Sequence, residues 1–351
     1  MTRVLLTGAT GFLGMEVLVR LLERGDREVV CLVRAADAAA AEERLDRVLG
    51  TLYRDATPFR PRVKALLGDV TSPLGSPDAP IDVVCHCAAS ISFDLPLEEA
   101  REINVEGTRA MLDLARRTGA RRFVHVSTAY VGGTHEGVFR EDMLDAGQEF
   151  RNTYEQTKFE AEQVVGATTD LEVAIARPSI VMGESDSGWT PAFNVLYWPL
   201  RAFARGLFEQ VPAKPDGRVD VVPVDYVADG IVRLVEGEET GTFNLVSGAD
   251  ASTVDELSEL ACAHFGRPRP PYVQPGGSGG AGVDEHGAVY VPYFDMDIVF
   301  DDARTRELLG LRAPRMRTYF DALMDYADRA RWGKRGTTRE EAREPVAAPA
   351  R

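Results

Sequence analysis

Residues Thr7 to Gly14 read TGATGFLG, which sets Gly8, Gly11 and Gly14 at intervals of three between a strand-like run, Val4-Leu5-Leu6-Thr7, and an amphipathic stretch from Gly11 to Glu23. Glycine reaches backbone conformations closed to other residues and lets the main chain approach a pyrophosphate. The N-terminus of the next helix then offers N–H donors and a positive dipole end. A glycine triplet alone also suits an ordinary tight turn. Here a strand precedes it and a helix follows, the context that makes it a dinucleotide loop. Gly8, Thr10, Gly11, Phe12, Leu13 and Gly14 are therefore expected to line a cofactor site.

Outward from this loop, β-rich runs alternate with helical spacing. Val4–Thr7, Glu28–Val33, Val63–Gly68, Ile81–Cys87, Arg122–Ser127 and Leu171–Ala176 read as strands, with helices at Gly11–Glu23, Ala38–Leu49, Leu97–Thr118 and Thr153–Val165. The alternation predicts an α/β, Rossmann-like, doubly wound parallel sheet, and apolar runs such as Ile81-Asp82-Val83-Val84-Cys85 suit strands covered on both faces. After Arg177-Pro178 the rhythm breaks. The expected division is a dinucleotide domain of residues 1–184 and 218–250, with a smaller, mostly C-terminal substrate domain of 185–217 and 251–332. Gly276–Gly287 reads as a mobile Gly-rich loop, and the Glu/Arg/Ala/Pro mixture of 333–351 as a disordered tail.

The 351 residues carry 40 Lys+Arg against 55 Asp+Glu, a net charge of −15, which argues against nucleic acid or an anionic membrane as a partner. No apolar stretch approaches the roughly 20 residues of a spanning helix. Residue 1 leads straight into a strand with no signal-peptide pattern, so a cytoplasmic location is expected. Cys31, Cys85, Cys87 and Cys262 show no framework spacing, and disulfides are not expected. Cys85-His86-Cys87 occupies consecutive positions of one strand, whose side chains alternate between faces, so no metal site is expected there.

A dinucleotide fold that prefers NAD carries an acidic residue at the end of its second strand, whereas this strand ends Leu32-Val33-Arg34. Arg34 suits a 2′-phosphate, though a solvated strand-end charge reads the same way. Asp69, in Gly68-Asp69-Val70 after the third strand, is expected near the adenine. Asn152 is expected to cap the helix that opens Thr153-Tyr154-Glu155-Gln156-Thr157-Lys158, with Glu155 as its capping-box partner. Tyr154 and Lys158 then lie four apart on one face, where an ammonium would lower the phenol's pKa and make it a usable general acid. The fifth strand ends Val126-Ser127-Thr128-Ala129-Tyr130, placing two hydroxyls at the carboxyl edge of the sheet. Thr128 or Ser127 could bond the substrate oxygen.

Taken together, TGATGFLG, Gly68-Asp69-Val70, Cys87-Ala88-Ala89, Asn104-Val105-Glu106-Gly107-Thr108, VSTAYV at Val126–Val131, Tyr154/Lys158 and Arg177-Pro178-Ser179-Ile180 resemble an extended short-chain dehydrogenase/reductase. The runs Cys31–Ala35, His86–Phe93 and Val126–Val131 are similar to its thioester-reductase and fatty acyl-CoA reductase branch. The resemblance implies Thr128, Tyr154 and Lys158 as the reacting triad, with Asn104 supporting a proton relay. It further implies Val70, Ala88, Ala89, Pro178 and Ile180 along the cofactor, NADPH as that cofactor, and reduction of an acyl thioester carried by coenzyme A or an acyl carrier protein to the aldehyde, or on to the alcohol. A nucleotide-sugar epimerase or dehydratase, another carbonyl reductase, and a dinucleotide-sensing regulator are the alternatives. The aromatic segment Trp189–Phe208 reads equally as an apolar lid or as domain packing.

Overall fold

The computed structural model describes residues 2–25, 27–193, 195–207, 210–273, 291–294 and 296–344. The loop expected at Gly276–Gly287 lies outside them, as does Phe208.

Seven strands form one parallel sheet: β1 (Thr2–Thr7), β2 (Arg27–Val33), β3 (Val63–Leu67), β4 (Val83–His86), β5 (Arg122–Val126), β6 (Glu172–Pro178) and β7 (Gly241–Leu245). Their spatial order is β7-β6-β5-β4-β1-β2-β3, the doubly wound topology expected. The order reverses at β1, with β2 on one side and β4 on the other. The crevice above the carboxyl ends of β1 and β4 is thus the place where such a sheet binds ligand.

Helices cover both faces. α1 (Phe12–Glu23) follows the glycine loop, and α2 (Ala38–Leu52) starts at Asp37, whose side chain accepts from Ala40 N at 2.8 Å. One helix expected over Leu97–Thr118 is three segments: Leu97–Arg101, a π-turn at Glu102–Glu106, and α3 (Gly107–Thr118). The extra residue of a π-turn has no signature in apolar spacing, and such turns gather at functional sites. α4 (Thr153–Gly166) carries Tyr154 and Lys158.

The core of the sheet is Val4, Leu6, Cys31, Val83, Cys85, Val124 and Ala174 packed on Val17, Leu18, Leu21 and Val227, all buried. Each such aliphatic side chain contributes about 1.5–3 kcal/mol on burial. A second core joins Ile180 and Met182 to Leu196, Tyr197, Leu200, Phe203, Met316, Phe320 and Leu323. It also includes Ala129, Tyr130 and Phe139, so the second lobe packs directly against the loop that follows β5.

The expectation of a disordered tail from Gly333 fails as far as Glu344. Thr338 caps a short helix, Arg339–Ala342, with Glu341 reciprocating. Arg339 is buried between Glu16 of α1 at 2.7 Å and Glu184 at 2.7 Å. Composition reads these charges as solvated, but buried carboxylates elsewhere in the fold are their partners. Among the described residues no helix is long and apolar enough to cross a membrane.

Candidate active site

A cleft of about 840 Å³ opens over the carboxyl edge of the sheet. Its floor is the glycine loop. Gly8 has φ +75°, and a Cβ there would sit 2.9 Å from Ala88 N, while one on Gly14 would sit 2.0 Å from Gly8 O. A Cβ on Gly11 meets only Gly8 O, at 3.4 Å. Two glycines thus allow the loop to fold on itself, and the third faces open space. Unlike α2 and α4, α1 has no side-chain cap, so its first N–H groups point toward the cleft unpaired by a side chain. This cradle fits a pyrophosphate, and the residues expected along a dinucleotide all line the cleft: Gly8, Thr10, Gly11, Phe12, Leu13, Gly14, Arg34, Asp69, Val70, Ala88, Ala89, Pro178 and Ile180.

At the far end of the loop Arg34 is 75% exposed and reaches Asp69 at 3.6 Å, which leaves its guanidinium free to turn. Arg44 was not singled out from the sequence. From α2 it donates to Arg34 O at 2.8 Å and to Thr10 Oγ1 at 3.4 Å, placing a second cation there. Helical spacing gave no sign of it, because an arginine on an exposed face looks the same whatever it faces.

The reactive side chains meet above β5. Thr128 donates to Pro178 O at 3.4 Å and accepts from Tyr130 N at 3.3 Å, and it lines the cleft together with Tyr154. Ser127 Oγ is buried beside the cleft without a partner among the described residues. Both hydroxyls thus line the cleft with Tyr154, Thr128 bonded to Pro178 O and Ser127 without a bond among the described residues. Burial pushes the Tyr154 phenol up to about 12, with the Thr128 hydroxyl opposing and the Glu155 charge adding to the rise. Lys158 donates to Val126 O at 2.8 Å and faces His125 Nε2 at 3.4 Å. Burial brings its ammonium down to about 8, against the Glu162 charge. The sequence expectation that Lys158 would lower Tyr154 is not met in this geometry, because the ammonium is spent on a strand carbonyl and desolvation governs the phenol.

α4 is held from both ends. Asn152 caps it, accepting from Glu155 N at 3.0 Å. Glu155 reaches back to Arg151 N at 2.9 Å, one residue before the position a capping box requires. Buried Glu162 takes a bidentate bond from Arg177 of β6, at 2.9 and 2.6 Å. Asn104 does not line the cleft. In the π-turn it accepts from Ser90 N at 2.8 Å and donates to Ser90 O at 3.1 Å and to Thr157 Oγ1 at 2.9 Å, tying the loop after β4 to the residue beside Lys158.

Cys85 and Cys87 share one side of their strand with sulfurs 3.7 Å apart, while His86 bonds Thr7 Oγ1 at 2.8 Å on the other. No metal-holding cluster occurs among the described residues. The aromatic segment serves packing rather than the cleft. Trp189 is buried with Nε1 donating to Thr337 O at 3.2 Å, Tyr197 OH accepts from Gly183 N at 3.1 Å, and of the segment's described residues only Val195 reaches the cleft. Near Tyr154 the cleft is lined instead by Ile91, Phe93, Tyr130 and Tyr293, none of which was singled out from the sequence as a site residue.

The NAD-binding family model described as male sterility protein matches residues 6–231. The chain belongs to this family. A linear gramicidin synthase of Brevibacillus parabrevis is 31% identical over 274 residues, covering 72% of this chain and 5% of that protein. Human fatty acyl-CoA reductase 1 is 32% identical over 271 residues, 64% of this chain and 53% of its own length. The chain thus spans about half of one relative and a small part of the other. The terminal R domain from the myxalamid PKS-NRPS biosynthetic pathway superposes with a TM-score of 0.81 at 27% identity, covering 95% of this chain and 92% of that one. The match confirms the Rossmann-like fold and places this male sterility family member among reductase domains of the extended short-chain dehydrogenase/reductase type.

Proposed function

We propose that the chain is an NADPH-dependent reductase that converts an acyl thioester, borne by coenzyme A or a carrier protein, to an aldehyde. The observation that carries this reading is that Thr128, Tyr154 and Lys158 together line the uncapped glycine-loop cleft, in a family whose relatives include a fatty acyl-CoA reductase. Gly8 to Gly14 would hold the pyrophosphate, Arg34 and Arg44 a 2′-phosphate, and Lys158 the ribose next to the nicotinamide, which supplies hydride to the carbonyl carbon.

The chain's own groups do the rest. Tyr154 holds the carbonyl oxygen and the Thr128 hydroxyl turns from Pro178 O to give it a second bond, so negative charge developing there meets two donors. Tyr154, protonated at neutrality, gives its proton to that oxygen. The tetrahedral adduct then breaks its C–S bond and loses its hydroxyl proton to the departing sulfur. One thioester, one NADPH and one proton give one aldehyde, one thiol and NADP⁺. No cysteine nucleophile is required. Buried Cys85 has its thiol pushed well above its usual value, first by Cys87 and then by burial, and so is not suited to that role.

The test is incubation with NADPH and an acyl-length series of coenzyme A thioesters, reading free thiol against NADPH consumed. One thiol for each NADPH, with aldehyde found by mass spectrometry, is the expected result. NADPH consumption without thiol would assign a ketone, sugar or other carbonyl instead.

A further inference from the structure

Beside Tyr154 in the cleft, Tyr293 of the second lobe is buried against the catalytic helix. Its hydroxyl donates to Glu155 Oε1 at 2.6 Å and accepts from Asn152 Nδ2 at 2.7 Å. Glu155 is fully buried, and the Arg151 guanidinium stands 3.5 Å away. A carboxylate in such a place needs each of its bonds, because an unpaired lone pair there is not compensated by water. The Tyr293 ring packs on Phe93 at 5.5 Å and edge-on against Tyr130 at 5.0 Å, and Phe93 in turn lies 5.8 Å from Tyr154. Arg151 lies over the Tyr293 ring at 5.9 Å. The backbone around it is anchored in the second lobe, where Met296 bridges to Arg218. A single side chain thus touches the cap of α4, the carboxylate next to Tyr154 and the aromatic wall of the cleft.

We propose that Tyr293 is a positioning and specificity residue of this reductase site: its hydroxyl holds the first turn of α4, and so the Tyr154 phenol, in place, while its ring forms the wall against which an apolar acyl group lies. The second part rests on the acyl thioester reading above. The first needs only that Tyr154 act on some carbonyl.

Wild type, Tyr293→Phe and Tyr293→Ala are compared with NADPH against decanoyl-CoA and decanal, and deuterium uptake across residues 151–158 is followed without substrate. Phenylalanine keeps the wall and removes the hydroxyl. Uptake across that turn should rise about tenfold and kcat should fall, with KM for the acyl substrate retained. Alanine removes both, so the acyl KM should rise by about tenfold or more as well, while KM for NADPH stays within about twofold in either variant. Wild-type uptake together with wild-type kinetics in both variants overturns the proposal. So does a KM for NADPH that rises in step with the acyl KM, since that reports a loosened fold. Turnover of decanal alone by wild type rejects the thioester reading, and the positioning role is then decided by uptake and by kcat on decanal.

Discussion

Tyr154 and Lys158 share a helix face, and burial is the largest influence on the titration of each. Burial holds the phenol at about 12 and the ammonium at about 8, so near neutrality Tyr154 keeps its proton and Lys158 its charge. Removing the phenol's oxygen in Tyr154→Phe should lower kcat by about 10²–10⁴ while dinucleotide binding, read by cofactor fluorescence, survives. Lys158 has a folded pKa below its usual value, so its charge is lost as pH rises through about 8. The kcat/KM profile of the wild type should accordingly fall on its alkaline side near that pH, and Lys158→Arg, which stays charged, should move the limb to higher pH. An unmoved limb assigns it to another group. At the other end of the cleft, Arg34→Ala and Arg44→Ala should each lower the ratio of NADPH to NADH efficiency, by about tenfold if a charge-assisted bond to phosphate is lost. A ratio unchanged in both variants makes the two arginines bystanders.

Among the elements, the glycine loop and the π-turn decide where the site sits. Gly14 belongs to the first turn of α1, yet its Cα faces Gly8 O so closely that a Cβ would come within 2.0 Å. Backbone, not a flexible side chain, is in the way, so Gly14→Ala must push α1 away from the loop. The expected outcome is a loss of dinucleotide affinity of about tenfold or more, seen by calorimetric titration, with a lower melting temperature. Gly11→Ala, where the added carbon meets one atom at ordinary contact distance, should melt close to wild type. The π-turn was unreadable in the sequence because apolar spacing marks which face is buried, not where a turn holds an extra residue. Asn104 owes its place in that turn to Ser90 and Thr157, two segments far apart in the chain.

Across the whole molecule, the C-terminal segment is tied to α1 by buried charge. Arg339 lies between Glu16, at the foot of the phosphate-binding helix, and Glu184, where the chain enters the segment leading to Val195. Arg343 adds a second bond to Glu184 at 2.8 Å. Burial raises the Glu16 carboxyl, helped by the Glu184 charge, whereas Glu184 is lowered because the Arg339 and Arg343 charges outweigh its burial. Arg339→Ala leaves Glu184 with Arg343 and Glu16 with Arg20 as their remaining cations, and should destabilise the fold by about 3 kcal/mol, the low end of the scale for breaking one side of a buried pair. Urea unfolding measures this. Glu184 contributes stability above its unfolded pKa that is lost as pH falls through its lowered folded value. The arginine's benefit should therefore shrink in acid, and a variant as stable as wild type at neutral pH would remove the clasp.

The sequence by itself determined the parallel sheet, the glycine loop and the spacing of Tyr154 and Lys158, because each depends on neighbours within a few residues: alternation of apolar runs, freedom at φ +75°, one helical turn. It also held the family, since Thr7–Gly14, Val126–Val131 and Arg177–Ile180 are contiguous. What it left open was decided by contacts between distant segments. Thr128 is bonded to Pro178 O while Ser127 finds no partner among the described residues, because β6 lies beside the end of β5. Trp189 and Tyr197 became core once Thr337 and Gly183 were beside them. Arg44, Tyr293 and Arg339 carry no local mark at all. Each is an ordinary surface residue in the sequence, and only folding brings it to the loop, the catalytic helix or the buried carboxylates that give it a role.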